Sequence, residues 1–261
     1  MNSTVKMKRL TNSRNLLILF LLIPLGAIAW ADDVTANSKA ENLKRQAAQY
    51  YFGSDDTDRN YTRALELYEA AAELGDIEAN YIAGGMYYTG KGTTRNFSKA
   101  YNYLDYAAKN GKRSPESDRA LAEFYLLGQV VPQNYDKAVS WYKKAAEGGD
   151  PNAQLELGYL YYTGQGTEQD YQQALRYFRE SAMKNFAMAQ YNMGIMWYTG
   201  IGTEQSDLVR SYAWFSIAAS NDYQDALAAR DFLGSRMSLE ELDAAQKVAW
   251  KIYQEMKDSN Q

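Results

Sequence analysis

The sequence predicts an all-α chain: a right-handed α/α superhelical solenoid of about five helix-turn-helix repeats, finished by a C-terminal capping helix. Three observations carry that prediction. A glycine recurs as Gly53, Gly90, Gly128, Gly164 and Gly200, at intervals of 37, 38, 36 and 36 residues, and a period of this length marks stacked units that cannot bury their apolar faces alone. Three residues before it stands a ring (Tyr50, Tyr87, Tyr125, Tyr161, Trp197), and six before it a small residue (Ala47, Gly84, Ala122, Gly158, Gly194). A ring one turn from a small residue is what closely crossing helices require, because the small residue admits the neighbour and the ring fills the space beside it. Finally, Asn60, Asn96, Asn134, Asp170 and Asp207 occupy equivalent places between the helices of each pair. Their side chains can accept from the free amides of a first helical turn, worth about 1 kcal/mol against Ala.

Taken in order, Met1 to Ala31 has the form of an export signal. Lys6, Lys8, Arg9 and Arg14 make a basic leader, Leu16 to Ala27 an apolar core, and Ala29-Trp30-Ala31 puts small residues at −3 and −1, so cleavage is expected after Ala31. The uncharged run Asn15 to Ala31 is 17 residues long and contains Pro24, at the short limit of the roughly 17–25 residues that span a bilayer. Stable membrane insertion after signal removal is not expected.

The solenoid then occupies residues 32–221, with repeats at about 38–75, 76–111, 112–149, 150–185 and 186–221. Its second helices carry Ala64, Leu67, Tyr68, Ala71; Ala100, Tyr103, Leu104, Ala107; Ala138, Trp141, Tyr142, Ala145; and Ala174, Tyr177, Phe178, Ser181. That spacing is i, i+3, i+4, i+7, a single buried face. Gly75, Gly111 and Gly149 supply stops for three of the units.

The run from Ala153 through Gly158, Tyr161, Gly164 and Gly166 to Asp170, Tyr171, Ala174, Tyr177, Phe178 and Ala182 resembles the Sel-one-like repeat family, relatives of the tetratricopeptide repeats with a longer unit. The likeness extends from Gln46 to Ala219. Departures fall mainly in loops: Ser54-Asp55-Asp56 replaces the second glycine of the first unit, Val130 that of the third, and the fifth has an extra residue before Trp214-Phe215 and Ser211 at the helix alanine. The resemblance implies a non-covalent scaffold or adaptor of the kind used in envelope assembly, polysaccharide export, signalling and host contact.

Residues 222–261 leave the period. Asp225 to Leu233 reads as a helix broken at Gly234, and Ser238-Leu239-Glu240-Glu241 as a capping box opening a last helix through about Met256, with Glu240, Glu241, Asp243, Gln246, Lys247 and Lys251 on its outer side. Asp258 to Gln261 is expected to fray.

Composition narrows the chemistry. Cys and His are both absent, which removes disulfides, thiolate nucleophiles, imidazole bases and the common zinc and haem ligand sets. All four leader charges are bases, so the mature chain keeps 24 of the 28 Lys and Arg against 32 Asp and Glu, a net charge of −8. No basic footprint for nucleic acid is present. No cofactor, metal or catalytic residue is expected. Ser140/Lys143 and Ser181/Lys184 match S-x-x-K, but the companion S-D-N and K-T-G elements are missing. Gly85 to Lys91 matches the start of a phosphate loop, yet Gly92 stands where Ser or Thr must hold magnesium. Asp55, Asp56 and Asp58 lack the sixth-position glycine and twelfth-position glutamate of a calcium loop. Glu69 near Glu73 reads as part of a solvated face.

One stripe remains. Nine, five and two residues before each closing glycine, the first helices present Tyr81, Gly85, Tyr88; Arg119, Glu123, Leu126; Leu155, Tyr159, Tyr162; and Tyr191, Ile195, Tyr198. First helices line the inner surface of a stacked solenoid, so Tyr81, Tyr88, Arg119, Glu123, Tyr159, Tyr162, Tyr191 and Tyr198 are the candidate partner-binding residues. Rings with a hydroxyl suit a peptide or a sugar chain; the alternative is that they pack between adjacent helices. The expectation is a periplasmic or secreted, non-enzymatic scaffold for a protein or peptide of a bacterial cell envelope. A glycan-binding module is the alternative, and a β-lactam hydrolase the more distant one, because the branch of the family linked to that activity is rich in cysteine.

Overall fold

The computed structural model of the chain describes residues 25–53 and 58–259, with side-chain surroundings from Thr35 onward. Among them are twelve helices and no strand. The five pairs are α1 (Leu25–Phe52) with α2 (Tyr61–Glu73), α3 (Ile77–Thr89) with α4 (Phe97–Lys109), α5 (Pro115–Leu127) with α6 (Tyr135–Glu147), α7 (Pro151–Thr163) with α8 (Tyr171–Met183), and α9 (Ala187–Thr199) with α10 (Leu208–Ser220). Each even helix packs on its own partner and then on the next odd helix, which makes the chain an all-α superhelical solenoid. After α1, every helix of the stack has 13 residues. The basic leader and Leu16 to Pro24 lie outside the described residues, as do Asp55 and Asp56. Helix α1 itself starts at Leu25 and continues unbroken past Ala31. Among the described residues no helix is long and apolar enough to cross a membrane.

The local signals work as the spacing requires. All five Asn and Asp residues ahead of the even helices accept from first-turn amides, for example Asn134 from Lys137 N. The odd helices have caps that the pattern did not single out, Asp76, Ser114 and Asp150. Gly90, Gly128, Gly164 and Gly200 close α3, α5, α7 and α9 in the left-handed conformation. Where Gly75, Gly111 and Gly149 stop the first three even helices, Asn185 (φ 65°) and Asp222 (φ 60°) take the same left-handed place in the last two, a conformation that short polar side chains tolerate.

The small-residue row owes its sizes to the paired even helix. A Cβ on Gly158 or Gly194 would come within 2.4 or 2.5 Å of the Phe178 or Phe215 ring, and on Gly84 within 2.8 Å of Leu104. The second glycine of the turn has a different purpose. A Cβ on Gly92, Gly166 or Gly202 would strike the backbone of Tyr61, Tyr135 or Tyr171, the first residue of the preceding unit's even helix, at 2.4–2.5 Å. These glycines therefore set the spacing between units rather than the turn alone.

Beyond the stack, α11 (Gln224–Gly234) packs on α10, and α12 (Leu239–Ser259) runs back along the even-helix side to α10 and α8. The box at its start is present, Glu241 accepting from Ser238 N at 2.8 Å while Glu241 N donates to Ser238 Oγ at 3.2 Å. Ala245, Ala249, Ile252 and Met256 form its inner face, and Met256 joins Phe178 and Trp214 in the core. The helix outlasts the expected fraying point: Asp258 and Ser259 are still helical, with Ser259 Oγ donating to Glu255 O at 2.7 Å. The acids, Lys residues and Gln246 expected outside are exposed, and so is a stacked pair, Trp250 and Tyr253.

Candidate functional site

The tyrosine stripe is less open than a bare floor. Tyr88 packs against Phe97 and Phe124, Tyr159 against Phe178, Tyr162 against Tyr171, and Tyr191 against Phe215 and Tyr223. Asn192 Nδ2 donates to the Tyr159 hydroxyl at 2.8 Å. Tyr81 is half-buried with Lys112 Nζ over its ring at 5.6 Å from the centre, while Tyr198 remains 43% exposed. A helical repeat tells which residues share a face; the neighbouring unit decides how much of each ring is left over.

In the middle of the stripe the structure gathers a charged cluster. Arg119 Nη1 donates to Glu123 Oε1 at 2.6 Å and its Nε to Asp150 Oδ2 at 3.0 Å, so the α7 cap doubles as an ion-pair partner. Tyr88 donates its hydroxyl to the other Glu123 oxygen. Burial, then the hydrogen bond to Glu123 and that carboxylate's charge, pushes the Tyr88 hydroxyl up to about 12. Burial works against the Arg119 charge, but Glu123 and Asp150 more than offset it and hold the guanidinium protonated. Glu156, one unit on, has no cation within ion-pair distance among the described residues. Burial first, and then Glu123, raises its carboxyl above the usual range.

A groove of about 900 Å³ crosses α3 from the end of α1 to the start of α5, with Tyr51, Phe52, Tyr81, Gly85, Tyr88, Lys91 and Arg119 among its walls. It therefore joins four stripe positions, Tyr81, Gly85, Tyr88 and Arg119, to Phe52 and Lys91, which the periodicity did not single out. Lys91 Nζ donates to Tyr51 Oη at 2.9 Å and lies 4.2 and 4.4 Å from the Tyr51 and Tyr61 ring centres.

Several polar groups elsewhere tie helices and turns together. Glu69 is not part of a wet face: its carboxylate accepts from Tyr87 Oη (2.6 Å), Lys99 Nζ (3.0 Å) and Tyr103 Oη (3.3 Å). Burial would raise this carboxyl, and the three donors together hold it below the usual range instead. The rings three before the closing glycines are half-buried or buried, and three of the five are capped by a cation from the third residue of the paired helix, Lys99 over Tyr87, Lys137 over Tyr125 and Arg210 over Trp197. Ser181 Oγ donates to Pro151 O at 2.7 Å and Lys184 Nζ to Gly149 O, so that S-x-x-K pair stitches α8 to the preceding turn. Ser140 is exposed, and Lys143 lies against the Tyr161 ring. Gly85 sits inside α3, away from any strand-to-helix phosphate loop. Among the described residues no three acidic side chains converge as metal ligands.

A model of the Sel1 repeat matches residues 45–76, 77–112, 115–150, 151–186 and 187–223, which is most of the chain. The chain belongs to the Sel1 repeat family. It is 30% identical over 131 residues to the uncharacterized protein NMB1327 of Neisseria meningitidis, covering 50% of this chain and 26% of that protein. Over 139 residues it is 32% identical to the chitin synthase regulator SKT5 of Saccharomyces cerevisiae, covering 51% and 19%. The aligned part thus spans about a quarter or less of these relatives. Among solved structures, a Sel1 repeat protein from Oxalobacter formigenes superposes with a TM-score of 0.63 at 23% identity, over 84% of this chain and 90% of that one. YrrB, described as a TPR protein with an unusual peptide-binding site, gives 0.52 at 20% identity, over 78% and 98%. The architecture is that of a Sel1 and TPR-like scaffold, suited to protein interactions.

Proposed function

We propose that this Sel1 repeat chain is an exported, non-enzymatic scaffold that holds a protein or peptide of the bacterial cell envelope on the face made by its odd-numbered helices. The groove across α3 is the observation that supports it: a concave, ring-lined surface on that face, bordered by both charged and apolar side chains. The leader supports export, and the acidic balance of the remaining chain speaks against nucleic acid as the ligand. A saccharide needs free ring faces, whereas Tyr88, Tyr159, Tyr162 and Tyr191 are already packed against neighbouring rings; a protein partner is therefore favoured over a glycan.

The test is site-specific photo-crosslinking in intact cells. A photoreactive residue replacing Tyr81 or Tyr198 is expected to yield a discrete protein adduct, and one replacing Asn102 or Glu147, exposed on even helices, none. Equal labelling from both faces, or adducts with saccharide only, would refute the assignment. Export is checked in the same cells by N-terminal sequencing, with Asp32 expected as the first residue of the mature chain.

A further inference from the structure

We propose that the groove across α3 receives an extended peptide segment that places an apolar side chain in the gap above Gly85 and an acidic group at Lys91. This rests on the reading that the odd-helix face binds a peptide, and it specifies where and what kind.

The gap comes from one residue. Five before the closing glycine the five units carry Ala48, Gly85, Glu123, Tyr159 and Ile195, so four units place a side chain here, a methyl in the first, and the second leaves it bare. A Cβ built on Gly85 meets nothing within 4 Å, whereas one on the adjacent Gly84 would run into Leu104. Packing thus explains Gly84 and gives no reason for Gly85, even though glycine inside a helix is unfavourable against alanine. What the missing side chain does supply is depth, at the point where the ring of half-buried Tyr88 and exposed Phe52 border the groove. An aliphatic side chain from outside would be enclosed there.

Charge decides what accompanies it. Of the two cations lining the groove, Arg119 is already committed to Glu123 and Asp150. Lys91 touches a hydroxyl and two ring faces, and no carboxylate lies within ion-pair distance of it among the described residues. An ammonium held in place by rings, in a groove whose other charged walls are Arg119 and Glu116 beside the start of α5, is complementary to an Asp or Glu side chain or a chain-terminal carboxylate. The 13 residues of α3 extend about 20 Å, which an extended strand crosses in roughly six residues.

A hexapeptide library displayed on phage is panned against the full chain, and selected sequences are remade as fluorescein-labelled peptides for polarisation measurements. The proposal expects selected sequences that pair Leu, Ile, Met or Phe with Asp, Glu or a free C-terminus. Gly85→Leu, whose Cβ meets nothing within 4 Å, should weaken binding about tenfold or more. Lys91→Met should weaken it roughly tenfold, and Lys91→Glu should turn the selection towards basic peptides. Circular dichroism and thermal midpoints of the variants confirm that the fold is intact. The proposal is overturned if no sequence is enriched, if the selected peptides lack an acid, or if Gly85→Leu binds as the unchanged chain does. Peptides lost on Tyr159→Ala or Tyr198→Ala but indifferent to Gly85→Leu would remove this groove while leaving the odd-helix face as the binding surface; odd-face cross-links absent from cells, with Gly85- and Lys91-dependent peptide binding retained in vitro, would remove the envelope partner and leave the groove's selectivity.

Discussion

Gly84 and Gly85 are chemically identical neighbours in the middle of α3, and the structure predicts opposite consequences for the same substitution. Each change to alanine removes backbone freedom from the unfolded chain, a gain of about 0.5–1 kcal/mol inside a helix. At Gly85 nothing opposes it, because the new methyl meets open space. At Gly84 the methyl would lie 2.8 and 2.9 Å from the Leu104 side chain and 3.1 Å from the Leu104 backbone nitrogen. The side chain could rotate, but the nitrogen belongs to α4 and moves only with it, so the two helices must part. Overpacking of this kind costs about 1–3 kcal/mol, leaving Gly84→Ala net destabilised. The two variants should therefore differ by about 1–3 kcal/mol, a separation of about 3–10 °C in thermal midpoint for a domain of this size. Far-UV circular dichroism on heating, with urea unfolding as a second axis, reads both. Midpoints shifted in the same direction would show that helix propensity governs α3 and that the close approach of α4 has been misjudged.

Gly166→Ala is expected to destabilise by about 2 kcal/mol or more, since φ is 68° there and the methyl would press on the Tyr135 backbone; hydrogen exchange should show the loss concentrated where units three and four meet. Arg119→Met strands Asp150 and Glu123 without their cation and should cost on the order of 3 kcal/mol, measured as a shift in urea midpoint at unchanged slope. Glu156→Gln should raise the thermal midpoint at pH 7. Its carboxyl is shifted up in the folded chain by burial and by Glu123, so the native state binds the proton more tightly and loses stability as pH rises through the carboxylate range; below about pH 4, where both folded and unfolded carboxyls are protonated, the advantage of Gln should vanish. Glu69→Gln is expected to behave in the opposite sense. That carboxyl is shifted down, its contribution is present above the usual carboxylate range and lost as pH falls, so the variant should be less stable at pH 7 and approach the unchanged chain in acid.

The repeat register, the caps of the even helices and the closing glycines were all legible in the chain itself, because each is enforced within one or two turns. Asn134 caps α6 through an amide three residues away, and Gly164 ends α7 by its own dihedral angle; nothing distant has to be known. The alternation of ring and small residue likewise marked the close helix crossing before Phe178 and Phe215 were seen on Gly158 and Gly194. The last helix was legible as a helix, but not its course. Its apolar side, Ala245 to Met256, could serve any exposed apolar surface, and only the stacked chain shows that α8 and α10 offer one.

What the sequence determined by itself is therefore the repeated unit: where each helix begins, where it ends, and which side of it is apolar. The tertiary structure alone decided what fills each space between units. It placed Lys99 over Tyr87, seated Glu69 among three donors, drew Arg119 to the cap of the following helix, and left the position above Gly85 vacant beside Lys91. Periodicity assigns a direction to a side chain, but occupancy depends on atoms contributed from 12 residues away for Lys99 over Tyr87 to 31 for Arg119 at Asp150, and two adjacent glycines can be told apart only by the neighbour that one of them touches.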